Sequence, residues 1–413
     1  MNKGLDVNEC EDLVESSKNV IFHGAPGTGK TYLAKQIAAK IVSNDCCDRY
    51  DELENLQNQV GFIQFYPGYD YSNFVEGYKP SSENGNIKFS LKDGIFKRFV
   101  DDAREKLEEY DKRLNLHGEA LNQAVIKYLQ QCKESKRPFW TYRDKPSKGQ
   151  HNKFHIAGAD GGKIYIDAPS VKNGTITLDL SQLLNGPGDR KNNFGINEEN
   201  NTHDLPSYYR PIYDFLFTPP KFVFIIDEIN RGNTPSIFGE LFYAIDPNNR
   251  GKKGEVTLQY SGGEDSGGDK FYIPKNVYLI GTMNDIDRSV EPFDFAFRRR
   301  WIFKLIEPTA TQDSILSTFN EDLKLKTDIK TCMDNLNNEI KKPDALGDDY
   351  QIGAAYFLKL KDLSNDFNKL WKDSLEPLLK EYVYGMDNAV TLLKGFKKAY
   401  YKTQDDGGLQ EQD

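Results

Sequence analysis

Three uninterrupted apolar runs stand out in an otherwise polar and charged chain: Val20-Ile21-Phe22, Phe222-Val223-Phe224-Ile225-Ile226, and the stretch from Asn276 to Thr282. Apolar runs this short, without alternation, are the pattern of strands buried on both faces, as in a parallel sheet. Val60-Gly61-Phe62-Ile63-Gln64-Phe65 reads as a further strand. Helical spacing appears at Leu33, Ile37, Ala38 and Ile41, within Tyr32 to Val42, and residues 94–113 read as a charged helix. The segment 66–80 is aromatic and turn-rich.

Residues 115–210 follow another rule. A helix from Ala120 to Lys133 leads into Phe139-Trp140-Thr141-Tyr142, then into short alternating runs at 153–156, 163–166 and 175–178, punctuated by Gly and Asn. Period-two alternation marks strands with one face exposed, so this is a small β-rich insertion. Residues 185–204 read as an Asn- and Gly-rich loop, and 254–272 as a hairpin-like pair around two Gly-Gly steps. Beyond Pro308 the pattern is helical to about residue 403. The expected division is a lead-in at 1–18, an α/β core at 19–104 and 216–307, an insertion at 105–215, a helical lid at 308–403 and a disordered tail at 404–413.

Composition narrows the picture. The 413 residues are 38% hydrophobic and 28% charged, a globular mix. No window approaches ~18 consecutive apolar residues, so no membrane span is expected. The first residues lack the apolar stretch of a secretory leader. Five cysteines without C-x-x-C spacing argue for a reducing, cytoplasmic setting rather than a disulfide or zinc scaffold. The net charge of −9 disfavours a free-standing, non-specific nucleic-acid binder.

The chemistry is concentrated at four points. Gly24-Ala25-Pro26-Gly27-Thr28-Gly29-Lys30-Thr31 follows the first apolar run and opens a helix. This is the phosphate-binding loop, in which Gly24, Pro26, Gly27, Thr28 and Gly29 curl the backbone so that its N–H groups point inward at phosphate. Lys30 would reach the β- and γ-phosphates, and the Thr31 hydroxyl would help hold Mg²⁺. The second apolar run ends in Asp227-Glu228: Asp227 would hold Mg²⁺ through water, and Glu228 would polarise the attacking water. The third run ends at Asn284, placed to touch both γ-phosphate and lytic water. Arg298-Arg299-Arg300 is either a solvated charge run or a source of the arginine that stabilises phosphoryl transfer from a neighbouring subunit. No arginine follows residue 300, which shifts that burden onto Arg299 and Arg300.

Together these residues resemble the AAA+ superfamily and, within it, the McrB family. Besides the motifs above, the resemblance rests on Asp70-Tyr71-Ser72-Asn73-Phe74 through Pro80, Lys92 to Phe96, and Met283-Asn284-Asp285-Ile286-Asp287-Arg288-Ser289. It continues in Asp294 to Arg300, Gln351-Ile352-Gly353 and Leu375 to Tyr382. It implies an AAA+ core with a parallel sheet, a C-terminal helical lid and the β-rich insertion between the two Walker motifs. It implies a hexameric ring with nucleotide sites between subunits, Asn284 and Asp287 positioning catalytic groups, and Arg299 or Arg300 acting across the interface. It also implies Mg²⁺-dependent hydrolysis of GTP or ATP and a McrC-like nuclease partner. A separate DNA-reading domain before the loop is not expected, so DNA would be met through the insertion or another subunit. Trp140 and Tyr142 are candidates for that contact, though a place in the insertion's own core is the plainer reading. Two rivals remain: a MoxR- or dynein-like remodeller of protein complexes, and a nucleotide-dependent assembly switch with little turnover.

Overall fold

The computed structural model describes residues 6–44, 47–83, 86–141, 152–169, 174–184, 205–260, 270–286, 293–342 and 344–402. The expected tail and the 185–204 loop lie outside these residues, as do Cys46, Tyr142 and Asp287.

Thirteen strands are described. They are β1 (Asn19–Gly24), β2 (Val60–Gln64), β3 (Glu76–Glu83), β4 (Asn86–Asp93), β5 (Pro138–Trp140), β6 (Lys153–Asp160), β7 (Lys163–Asp167), β8 (Thr175–Asp179), β9 (Phe222–Asp227), β10 (Val256–Thr257), β11 (Lys270–Phe271), β12 (Val277–Asn284) and β13 (Ile302–Leu305). Five form one sheet in the order β13-β1-β12-β9-β2, every pairing parallel. The three unbroken apolar runs are its three central strands, as a sheet covered on both faces requires.

The side chains of β9 divide cleanly between the two faces. Phe222, Phe224 and Ile226 enter one buried cluster, and Val223 and Ile225 enter another. The first cluster is aromatic: the Phe224 ring meets Phe74, Phe96 and Phe99 with centroids 6.0, 5.0 and 5.0 Å away. Helix Ile95–Leu114 supplies Phe96, Phe99, Val100 and Ala103 to it. The opposite face is covered by helix Lys30–Ser43, whose Leu33, Ile37, Ala38 and Ile41 are buried as their spacing predicted. The lead-in helix Val7–Ser17 packs there through Cys10 and Val14, and Lys40 ties it down by bonding both Glu11 and Asn8.

The second sheet, β5-β6-β7-β8, is an antiparallel meander. Helices Gly118–Glu134 and Leu205–Phe217 bury its inner face around Phe154, Ile156, Ile164, Ile166 and Leu178. Trp140 is only 3% exposed and packs with the core against helix Lys30–Ser43, so its indole is structural. The lid from Pro308 onward has its own apolar centre, including Met333, Leu336, Phe357, Leu370 and Trp371.

One element was not anticipated. The end of the stretch read as turn-rich runs into a two-stranded ribbon, β3–β4, with eight residue pairs from Glu76↔Asp93 to Glu83↔Asn86. Pro80 inside β3 hid it, since proline argues against a central strand; a two-stranded ribbon tolerates it because half its N–H groups face outward. The Asn84-Gly85 step, a hairpin-turn signal, was there to be read.

Candidate functional site

Strand β12 lies between β1 and β9, so the carboxyl ends of all three open onto one place. Parallel strands deliver their last residues to a common edge, and loops leaving that edge meet there. The loop 24–31 leaves β1 and enters helix Lys30–Ser43 through Gly29. Gly27 sits at φ +76, and a Cβ there would lie 2.6 Å from the Tyr356 ring, so both backbone and space demand glycine. The Lys30 ammonium is folded into the loop, 3.0 Å from the Gly24 carbonyl, 2.8 Å from that of Ala25 and 3.3 Å from the Thr28 hydroxyl. The lid holds the same loop from outside. Gly353 N–H donates to the Pro26 carbonyl and Ala355 N–H to that of Gly27, each at 3.0 Å. The Thr311 hydroxyl donates to the Thr28 carbonyl at 2.6 Å.

Asp227 and Glu228 are adjacent in sequence yet face different partners. The Asp227 Oδ1 accepts from the Thr31 hydroxyl and from the Thr282 hydroxyl, both at 2.6 Å. The chain then turns sharply, with Glu228 at φ 52 and ψ 45. A non-glycine residue in the left-handed region costs ~1 kcal/mol, and such strain is kept where surrounding contacts enforce it. Here the contacts are evident. Asn284 Nδ2 donates to Glu228 Oε1 at 2.7 Å, Arg231 Nε lies 3.3 Å from Oε2, and the Glu228 N–H donates to the Thr282 hydroxyl at 3.3 Å. The two adjacent carboxylates thus face different partners, Asp227 the Thr31 and Thr282 hydroxyls and Glu228 the Asn284 amide.

Among the residues called from sequence, Thr31, Asp227, Glu228 and Asn284 form one hydrogen-bonded cluster through Thr282. Lys30 and the glycines stand beside it. Asp287 lies outside the described residues. The arginines make no described bond to this cluster. Arg300 is turned into its own subunit: it bonds the Ala296 carbonyl, lies 3.9 Å from Asp246 and stacks over Phe242. Arg299 is exposed. Arg298 is exposed as well, its guanidinium 4.9 Å from the Phe303 ring.

Sequence reasoning missed Thr282, Arg231 and Gly353 as parts of this site. Thr282 was within reach, because it shares a strand face with Asn284 two residues on. Gly353 required the fold: a Cβ there would fall 2.1 Å from the Gly27 carbonyl carbon. His23 pairs with Asp285 at 2.9 Å and braces the end of β1 against the end of β12.

The donor set suits a hard divalent ion. A hydroxyl and a carboxylate already in contact, Thr31 and Asp227, are oxygen ligands of the type Mg²⁺ takes beside phosphate oxygens.

Comparison with known proteins bears on the family. Residues 170–301 match the AAA domain of the dynein-related subfamily, and residues 328–391 match the McrB alpha-helical lid domain. Over 376 residues the chain is 26% identical to the type IV methyl-directed restriction enzyme EcoKMcrB subunit of Escherichia coli K12, covering 89% of this chain and 54% of that protein. The chain is an McrB-like AAA+ protein. A second relative within this group is the type II restriction enzyme BsuMI component YdiS of Bacillus subtilis 168, 27% identical over 219 residues, covering 47% of this chain and 62% of that one. The chain thus spans little more than half the length of these curated relatives. Among the described residues no helix is long and apolar enough to cross a membrane.

Proposed function

We propose that this chain hydrolyses GTP or ATP with Mg²⁺, as the ring-forming motor subunit of an McrBC-like restriction system that drives a separate nuclease subunit. The observation that carries the reading is the division of labour between Asp227 and Glu228. One carboxylate is committed to the Thr31 hydroxyl and the other to the Asn284 amide. A binding-only switch needs the first arrangement and has no use for the second.

The roles follow from the contacts. The loop N–H groups and Lys30 bind the phosphates; Lys30 gives up its carbonyl contacts to do so. Mg²⁺, held through Thr31 and Asp227, would neutralise charge developing on the phosphate oxygens. Glu228 accepts a hydrogen bond from the attacking water, and Asn284 holds that carboxylate in place. Arg299 is the better candidate to act across a subunit interface, since Arg300 is engaged within its own subunit. The relatives' names speak for a restriction setting, in which DNA and a nuclease would be reached through other subunits.

The deciding experiment is Glu228→Gln, assayed with GTP and with ATP, with and without the nuclease subunit. Turnover should fall about 10²-fold or more, with nucleotide affinity retained. Turnover that persists at the wild-type rate would remove Glu228 from the chemistry and with it the observation that carries this reading, and low, equal wild-type rates under every condition would end the hydrolytic reading in favour of the assembly switch.

A further inference from the structure

At the far end of β1 from the phosphate loop, a buried polar group serves no purpose in the chemistry described so far. Asn19, the first residue of β1, is 1% exposed and uses its whole amide. Its Nδ2 donates to the Ile245 carbonyl at 2.7 Å and to the Arg300 carbonyl at 2.9 Å, while its Oδ1 accepts from Arg250 Nη2 at 2.5 Å.

Arg250 is itself 2% exposed. Among the described residues its Nε and Nη1 have no hydrogen-bond partner, and the Asp246 carboxylate acts on it only as a nearby charge. Burying a guanidinium this way is costly, and apolar residues of similar volume usually serve stability better. What Arg250 adds is orientation. A guanidinium only donates, so the amide must turn its oxygen toward Arg250 and its NH₂ toward the two carbonyls. One of those carbonyls belongs to the arginine turn.

We propose that Asn19, oriented by Arg250, is a positioning residue that fixes the backbone of the turn 298–300 and so aims Arg299 at the nucleotide of a neighbouring subunit. The inference rests on the intersubunit role given to Arg299 above. Supporting contacts converge on the same turn. The Arg300 side chain is anchored to Ala296, Asp246 and Phe242, and β13 begins directly afterwards, registered on β1 by Val20↔Ile302. Asn19 and Gly24 are the two ends of one strand, about 17 Å apart at strand rise. Each subunit therefore carries its own phosphate loop and the support of the arginine it lends on a single rigid element.

The test uses the full chain. Asn19→Asp keeps the shape and the acceptor for Arg250 but removes the donor to Ile245 and Arg300. It should bind nucleotide as the wild type does and unfold within a few degrees of it, while kcat falls roughly tenfold, the order expected for a misaimed catalytic group. Arg250→Met, which releases the amide to flip, should lower kcat in the same direction by a smaller factor.

Subunit mixing separates aim from general damage. Asn19→Asp mixed with Glu228→Gln should turn over faster than either variant alone, because Glu228→Gln subunits lend a sound arginine to intact sites. Arg299→Ala mixed with Glu228→Gln is the reference. Failure of that reference to regain turnover would overturn the intersubunit reading itself. A reference that recovers while Asn19→Asp shows wild-type kcat, or a loss that mixing does not restore, would overturn the role of Asn19 alone.

Discussion

The two large sheets of this molecule are built from similar residues and do different work. In the parallel sheet, β1, β12 and β9 are buried on both faces, and their carboxyl ends gather Thr31, Asp227, Thr282 and Asn284 at one edge. Thr31 and Asp227 are 196 residues apart in sequence and 2.6 Å apart in space. In the meander β5–β8 each strand pairs with the one before it, burial alternates along β6 and β7, and one face is left outward. An antiparallel meander mostly joins neighbours in sequence, so its inner face makes a core and its ends make turns. Parallel pairing forces long connections and brings distant segments to one edge, which is where a composite catalytic site can form.

This contrast can be broken or sharpened by substitution, beginning with the largest effect. Phe224→Ala removes the ring at the centre of the aromatic cluster against Phe74, Phe96 and Phe99. It should cost about 3–5 kcal/mol of stability by urea titration and abolish hydrolysis with it, since the same strand ends in Asp227. Retained activity in a core so weakened would show that the strand does not govern the site.

A finer cut is Thr282→Val, which keeps volume but removes the hydroxyl that donates to Asp227. A hydrogen bond to a charged group contributes about 1.5–3 kcal/mol. The concentration of Mg²⁺ needed for half-maximal hydrolysis should therefore shift about tenfold or more, with saturating Mg²⁺ recovering most of the rate. No dependence on Mg²⁺ would place Thr282 outside the ion's shell of influence.

The smallest effect belongs to the second sheet. Ile164→Val trims one methylene from its buried face and should cost about 0.5–1.5 kcal/mol. Hydrogen exchange should quicken in 118–217 only, and hydrolysis should stay within twofold of wild type. A parallel loss of hydrolysis would mean the two sheets are mechanically coupled, for instance through the Arg137–Gln59 contact that joins them.

Much of this was legible from local pattern. The three apolar runs announced three central strands because a doubly buried strand has no polar positions to alternate. The phosphate loop could be proposed from sequence because such a loop works through its own backbone, so eight consecutive residues suffice to state the motif. The lid's helices showed in their periodicity. The ribbon β3–β4 was missed because Pro80 and Pro67 argue locally against strands, although Asn84-Gly85 argued for a hairpin. The contribution of Gly353 was invisible, since nothing in its neighbourhood says that a carbonyl of the phosphate loop will lie against it.

The residue types and spacings of this chain therefore determined which strands are buried, where phosphate is proposed to bind, and which carboxylates, amide and arginines could take part. Only the tertiary structure decided how they divide the work. It turned Glu228 through a left-handed step away from Asp227, folded Arg300 inward while leaving Arg299 exposed, and set Asn19 beneath the arginine turn. The reason is physical: propensity and periodicity act over a few residues, whereas each of these choices depends on contacts between segments 50 to 280 residues apart, which exist only once the parallel sheet has closed.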